Sequence, residues 1–339
     1  MNKKLIAVAI AGAFVGASPA VMAGAMGPVD VNASGYIDTV LTVADEVRDD
    51  TTTDASGSLA NDSNNKFSVD GELDFTATQG DVMARIDLDI NNTHGSFDSG
   101  EIEQAFAKWQ ANDAVAVITG QLNSGIGFEA EDAPNLYQIS KGQIASIIDG
   151  QTALRGNNVE GVVVNFGAGP ASINVGVLDE LGRNAEANSL LLQASGSPMD
   201  GMNLEFSFVT QEDWDAVNNP TSGGNLMDIN GTYGMDNWFV GLELMDAADD
   251  GDGLPDNAYG LYGHIDAGNG FGATLRYDTV SYNDIGAVSV DDTTSTTLAG
   301  TWAAADNLGF NLEFRSDDDG TDSFSTILLE AVATLGDFN

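Results

Sequence analysis

Residues 67–90 constrain the fold more tightly than any other stretch of the chain. Apolar or small residues occupy every second position, at Phe67, Val69, Gly71, Leu73, Phe75 and Ala77. Ser68, Asp70, Glu72, Asp74 and Thr76 lie between them. After a turn at Thr78–Gly80 the pattern resumes, with Val82, Ala84, Ile86, Leu88 and Ile90 set against Asp81, Met83, Arg85, Asp87 and Asp89. Strict period-two alternation over such lengths specifies strands with one apolar and one polar face. A helix would mix Asp70 and Asp74 with Phe67 and Leu73 on its faces, so helix is excluded here.

The same unit recurs over 31–43, 66–77, 81–91, 101–110, 114–122, 157–167, 170–178, 188–197, 201–210, 225–234, 237–246, 257–266, 270–279, 293–303, 307–316 and 324–335. Most of these segments are near the ~9–11 residues that a tilted strand needs to cross a bilayer. The connections alternate in length. Short ones fall at 78–80, 111–113, 168–169, 198–200, 235–236, 267–269 and 304–306. Longer polar ones fall at 44–65, 92–100, 123–156, 179–187, 211–224, 247–256, 280–292 and 317–323. Short turns at one end and long loops at the other are the asymmetry of a membrane-spanning barrel. A soluble sandwich has no reason to sort its loops in this way. Trp109, Trp238 and Trp302 sit beside short turns, level with Phe75, Phe166, Tyr233, Phe271 and Phe310. Aromatics gathered at one level form an interface girdle. The fold class expected is therefore all-β, a transmembrane antiparallel up-and-down barrel of about sixteen strands.

The N-terminus, MNKKLIAVAIAGAFVGASPAVMA, has basic Lys3 and Lys4, an apolar run over Leu5–Val15 and a small-residue end at Ala23. It reads as a secretory signal peptide over 1–23, which leaves 24–339 as a single barrel domain. The chain carries 11 basic and 52 acidic residues, a formal charge of −41. Such an excess argues against nucleic-acid partners, which need a basic footprint, and favours cations. Cysteine is absent and histidine occurs only at positions 94 and 264. Disulfides, thiolate metal centres and histidine-rich catalytic metals are accordingly disfavoured. Phosphate-cradling loops, HExxH and a nucleophile elbow are also missing, so no cofactor and no enzyme activity is expected.

With a barrel reached, GQLNSGIGFEAEDAPNLY (Gly120–Tyr137) resembles a segment of Gram-negative porins of the OmpL-like β-barrel family. A strand ending in Gly-Gln leads there into a Gly-rich turn, a Gly-Phe-Glu step and an acidic-Pro element. RGNNVEGVVVNFGAGPASINVGVLD (Arg155–Asp179) is similar in pattern to that family's next hairpin. The resemblance implies an outer-membrane location and a long third loop folded into the lumen. It also implies bilayer and lipopolysaccharide as surroundings, small hydrophilic solutes and ions as cargo, and a homotrimer. One departure stands out, since Phe338 is followed by Asn339 where outer-membrane barrels usually finish on an aromatic. The exact closing strand stays open.

A barrel of this size encloses an aqueous channel, with apolar residues toward lipid and polar ones inward. Asp70, Glu72, Asp74, Asp87, Asp89, Glu205, Glu243, Asp278 and Glu313 fall in the lumen phase. So do Arg85, Lys108, Arg276 and Arg315, whose strands form one arc once the barrel closes. Glu129, Glu131 and Asp132 lie on the long loop opposite that arc. Basic wall against acidic loop is the constriction that general porins resemble, and it equally reads as lumen cations neutralising nearby acids. Gly125 and Gly127 permit the loop to bend, and Ile139, Ile144, Ile147 and Ile148 call for burial on the inner wall. The expected function is a cation-preferring porin. The alternative is a non-conducting acidic surface barrel that binds calcium or a partner through its loops. Asp250, Asp252 and Asp256, and the run Asp317–Asp322, space oxygen ligands around a glycine as calcium loops do. They equally read as acidic surface loops suited to saline water.

Overall fold

The computed structural model describes residues 28–45, 64–89, 101–130, 132–151, 158–179, 188–210, 225–247 and 255–336. The signal-peptide reading (1–23), Glu131, Asp250, Asp252 and Phe338 lie outside the described residues.

Sixteen strands form one closed antiparallel barrel in sequence order. The first eight are β1 (Asp30–Asp45), β2 (Asn64–Gln79), β3 (Val82–Asp89), β4 (Glu101–Asn112), β5 (Val115–Asn123), β6 (Asn158–Ala168), β7 (Ala171–Leu178) and β8 (Ser189–Met199). The second eight are β9 (Met202–Val209), β10 (Leu226–Met235), β11 (Trp238–Asp246), β12 (Pro255–Gly268), β13 (Phe271–Tyr282), β14 (Thr293–Ala305), β15 (Leu308–Asp318) and β16 (Ser323–Leu335). Each strand pairs with its sequence neighbours, and β16 pairs with β1 to close the ring. The up-and-down topology read from the alternation is the one observed.

At one end of the barrel, every described hairpin turns in two residues, for example Gly80-Asp81, Gly169-Pro170, Asp200-Gly201 and Asn269-Gly270. Such turns match the strand twist when φ is positive, which favours Gly, Asn and Asp. Gly80, Gly169, Gly201, Asp236, Asn269 and Gly270 adopt positive φ at these positions. The longer connections all leave from the opposite end.

The outer face is apolar and open to its surroundings. Leu242, Leu261, Leu275, Leu298, Leu312 and Leu329 are each about half exposed. They meet across strands as Leu242↔Leu261, Leu275↔Leu298 and Leu312↔Leu329. A contiguous apolar belt of this kind around a closed barrel matches hydrocarbon rather than water. Trp109, Trp238 and Trp302 point outward near the short turns, and Trp302 stacks between Phe271 and Phe310 at centroid distances of 5.9 and 5.7 Å.

The inner face departs from the expected polar lining in one sector. Leu122, Val159, Val163, Leu178, Leu191, Val209, Leu226, Met245, Ala258 and Val280 are buried in a single cluster with Ile126, Ile144 and Ile148 of the long loop. The interior from β5 to β13 is therefore apolar near the loop end. The physical reason is that a second layer of protein, not water, covers it.

Candidate functional site

The long connection between β5 and β6 folds into the lumen. It also carries structure of its own, a 3-10 turn at Ala133–Asn135 and an α-helix, α1, at Gln143–Gln151. The loop begins with an Asx-type turn, Gly125 N–H donating to Asn123 Oδ1 at 2.7 Å. Gly127 has φ of +92°, and a Cβ there would lie 2.8 Å from Ile148 Cδ1. Glycine lets the chain pass over α1 at that point. Ile144 and Ile148 seat α1 on the apolar wall, with Ile147 packed against the same cluster.

Acids of the wall then receive the loop backbone. Glu243 Oε1 accepts Phe128 N–H at 2.7 Å while its Oε2 accepts Tyr262 Oη–H at 2.7 Å. Glu313 accepts the amides of Ile139 and Ser140 at 2.7 and 3.0 Å. Both carboxylates are buried, so a charge removed from water is compensated by hydrogen bonds that also satisfy loop amides. The Phe128 ring packs on Tyr262 at 4.4 Å, and Tyr137 packs on His264 and Phe239 at 4.5 and 4.8 Å.

Arg276 is the centre of this junction. Its Nη1 reaches Glu129 Oε1 at 2.7 Å and Ser140 O at 2.6 Å, and its Nε reaches Asp278 Oδ2 at 3.0 Å. The side chain is fully buried. Glu129 also accepts hydrogen bonds from Gln138 Nε2 and Gly142 N–H. Arg315 donates to Lys141 O at 2.9 Å and pairs with Asp317 at 2.8 Å. Arg276 and Arg315 thus clamp the loop from below. They do not face it across an open gap, as the basic-wall reading had them. Guanidinium groups so placed hold the loop down, with Arg276 fully buried and Arg315 one-fifth exposed.

Arg85 is a cation on β3 that lines a lumen cavity. It forms part of a 620 Å³ cavity together with Asp132 and Ala130 of the loop, Gln104, Ser195, Glu205 and Asn230. Its Nε pairs with Asp87 at 2.7 Å, and its Nη2 lies 3.4 Å from Asp74 and 3.8 Å from Glu72. Asp74 and Asp87 stand directly opposite each other in the β2–β3 register, a like-charge pair that Arg85 offsets. Lys108 is half-buried and makes no ion pair within 4.0 Å among the described residues. Asp70 and Asp89 are half-buried on the same wall, and Asp70 accepts the amide of Gly71 at 2.8 Å.

Acids outside the candidate set join the lumen face. Asp38, Asp228 and Glu330 are buried and inward, and all three follow the strand alternation, which could have found them. Glu103 has a different origin. A register shift between Asp87 and Leu88 leaves Glu103 as the unpaired residue of a β-bulge, so simple alternation misplaces it. Two groups of carboxylates offer oxygens within 4.8 Å of one another, Glu72 with Glu103 and Asp132, and Glu72 with Asp74 and Asp87. Of the loops read as calcium-like, Asp256 lies in β12 and accepts Asn257 Nδ2 at 2.8 Å. In the Asp317–Asp322 run, Asp318 and Asp319 cap the backbone amides of Gly320, Thr321 and Asp322.

No protein-family profile and no curated protein sequence matches the chain. Solved structures do. The outer-membrane channel DcaP of Acinetobacter baumannii superposes with a TM-score of 0.65 at 16% identity, over 93% of this chain and 100% of that one. A mutant of the Rh. blastica porin matches with a TM-score of 0.56 at 14% identity, over 90% and 100% of the two chains. OprB of Pseudomonas putida matches with a TM-score of 0.62 at 10% identity, over 91% and 94%. The chain has the fold of the outer-membrane channels and porins, a closed sixteen-stranded barrel.

Proposed function

We propose that the protein is an outer-membrane porin whose water-filled channel passes small hydrophilic solutes by diffusion and prefers cations. The observation that carries this reading is the cavity beside the inward loop. Its walls are mixed, with Phe128, Leu204 and Pro170 in the lining, and Asp132, Glu205, Asn230, Gln104 and Arg85 converge on it beside the inward loop. A barrel filled for stability alone would close this space with side chains. Around it the wall carboxylates Glu72, Asp74, Asp87 and Glu103 outnumber the one guanidinium of Arg85. A constriction with a surplus of one sign of charge between low-dielectric walls concentrates counterions. The outward belt and the three tryptophans supply the membrane-facing surface that such a channel requires.

Reconstitution in planar bilayers tests the reading. Stepwise conductance is expected, with a reversal potential of cation-selective sign in a potassium chloride gradient. Absent steps, or an anion-selective potential, would discard it.

A further inference from the structure

We infer that Glu72, Glu103 and Asp132 form a binding site for a hard divalent cation of the calcium class. The ion would tie the inner loop to the β2–β4 wall, beside the cavity. The site stands on its own geometry and does not depend on whether the barrel conducts.

The three carboxylates come from different parts of the fold. Glu72 is on β2, Glu103 is the bulged residue of β4, and Asp132 precedes the 3-10 turn of the loop. One oxygen from each lies within 4.8 Å of the others. Glu72 is only 1% exposed, and neither of its carboxylate oxygens has a hydrogen-bond partner. A buried anion left in this condition calls for a counter-charge. Arg85 supplies it only in part. Its guanidinium is committed to Asp87 at 2.7 Å and Asp74 at 3.4 Å, and reaches Glu72 only at 3.8 Å.

The remaining donors fit the same cation. Glu103 Oε1 is oriented by Asn158 Nδ2 at 2.9 Å. Asp132 lines the cavity, which gives an ion and its waters a route in. An all-oxygen set of three carboxylates that can each bind through one or two atoms suits calcium, which takes about 6–8 oxygens in flexible geometry. It does not suit zinc, which favours nitrogen and sulfur. The bulge has a purpose in this account, because it brings Glu103 out of the strand's alternation toward Glu72.

The loop then has two attachments of opposite kind. Arg276 holds Glu129 on the β13 side, and a divalent ion holds Asp132 on the β2–β4 side.

Calorimetric titration of calcium into detergent-purified, chelator-stripped protein tests the site. Binding is expected in the range of about 10⁻⁴–10⁻³ M, typical of sites facing a calcium-rich exterior. Glu72→Gln and Asp132→Asn are each expected to weaken it at least tenfold, while Asp256→Asn leaves it unchanged. No heat with the wild-type chain, equal affinity in Glu72→Gln and Asp132→Asn, or a loss confined to Asp256→Asn would overturn the proposal. Bilayer recording separates this from the porin reading. Conductance in chelator tests the pore, and a reversible drop on adding millimolar calcium, absent in Asp132→Asn, is expected of the site.

Discussion

Arg276 shows how much a single side chain holds in this barrel. It is fully buried between Glu129 and Asp278, so truncating it leaves two carboxylates in a dry junction. Breaking a buried pair in this way costs about 3–5 kcal/mol, more than the pair's own net worth, because the orphaned charges remain. Arg276→Ala is therefore expected to lower the temperature at which the folded band is lost on a heat-shift gel. Arg276→Lys should recover part of the loss, since an ammonium keeps the charge but not the planar fork. An unchanged transition in Arg276→Ala would show that the junction holds without the guanidinium. The sequence places Arg276 in the lumen phase and leaves open whether it faces the loop acids as a basic wall or neutralises nearby acids. Its partner Glu129 lies 147 residues away, and alternation along a strand carries no information about a contact at that range. Glu72, Asp74 and Asp87 were legible for the same reason that Glu103 was not: they obey period two, and a bulge breaks it.

The inner loop is an element that the barrel wall and the loop specify together. Its apolar positions Ile144, Ile147 and Ile148 recur at the spacing of one helical face, yet α1 spans only Gln143–Gln151. Nine residues are too few to hold a helix in water, so burial on the wall fixes it. The need for burial could be read from the isoleucines, whereas the helix could not. A matching signal sits in the wall itself. Val162, Val163 and Val164 run without alternation, as a strand apolar on both faces would, and Val163 does pack against the loop cluster. Deleting residues 128–148 removes α1's apolar anchors and the Glu129 contact while leaving the strands intact. Single-channel conductance is expected to rise several-fold in that variant. An unchanged step would mean that the loop does not set the narrowest part of the channel.

At the scale of the whole molecule, charge and closure decide behaviour. The chain's acidic excess, 52 against 11, is distributed over the lumen and the outer loops. Cation preference that arises from this field should weaken as salt rises, because the screening length falls from about 10 Å at 0.1 M to about 3 Å at 1 M. Reversal potentials measured across that range should shift toward the value for bulk ions. A preference that does not change with salt would point to a local filter. The ring itself has one unusual joint. Every pair but one links sequence neighbours, and seven of those fifteen hairpins turn in two residues. The exception is β1 with β16, where Gly35 meets Leu335 from opposite ends of the fold. Contacts of such separation form late, after local hairpins, because the intervening chain must first be ordered. The seam is thus a clock for assembly. The chain has no cysteine, so a pair introduced at Thr39 and Ala331 would report on the seam alone, and one at Leu298 and Phe314 on an ordinary hairpin. Oxidative trapping during refolding is expected to capture the hairpin first. Until the seam shuts, β1 and β16 are two open edges able to pair with another chain, so slow closure, more than weak strands, is where this barrel would fail.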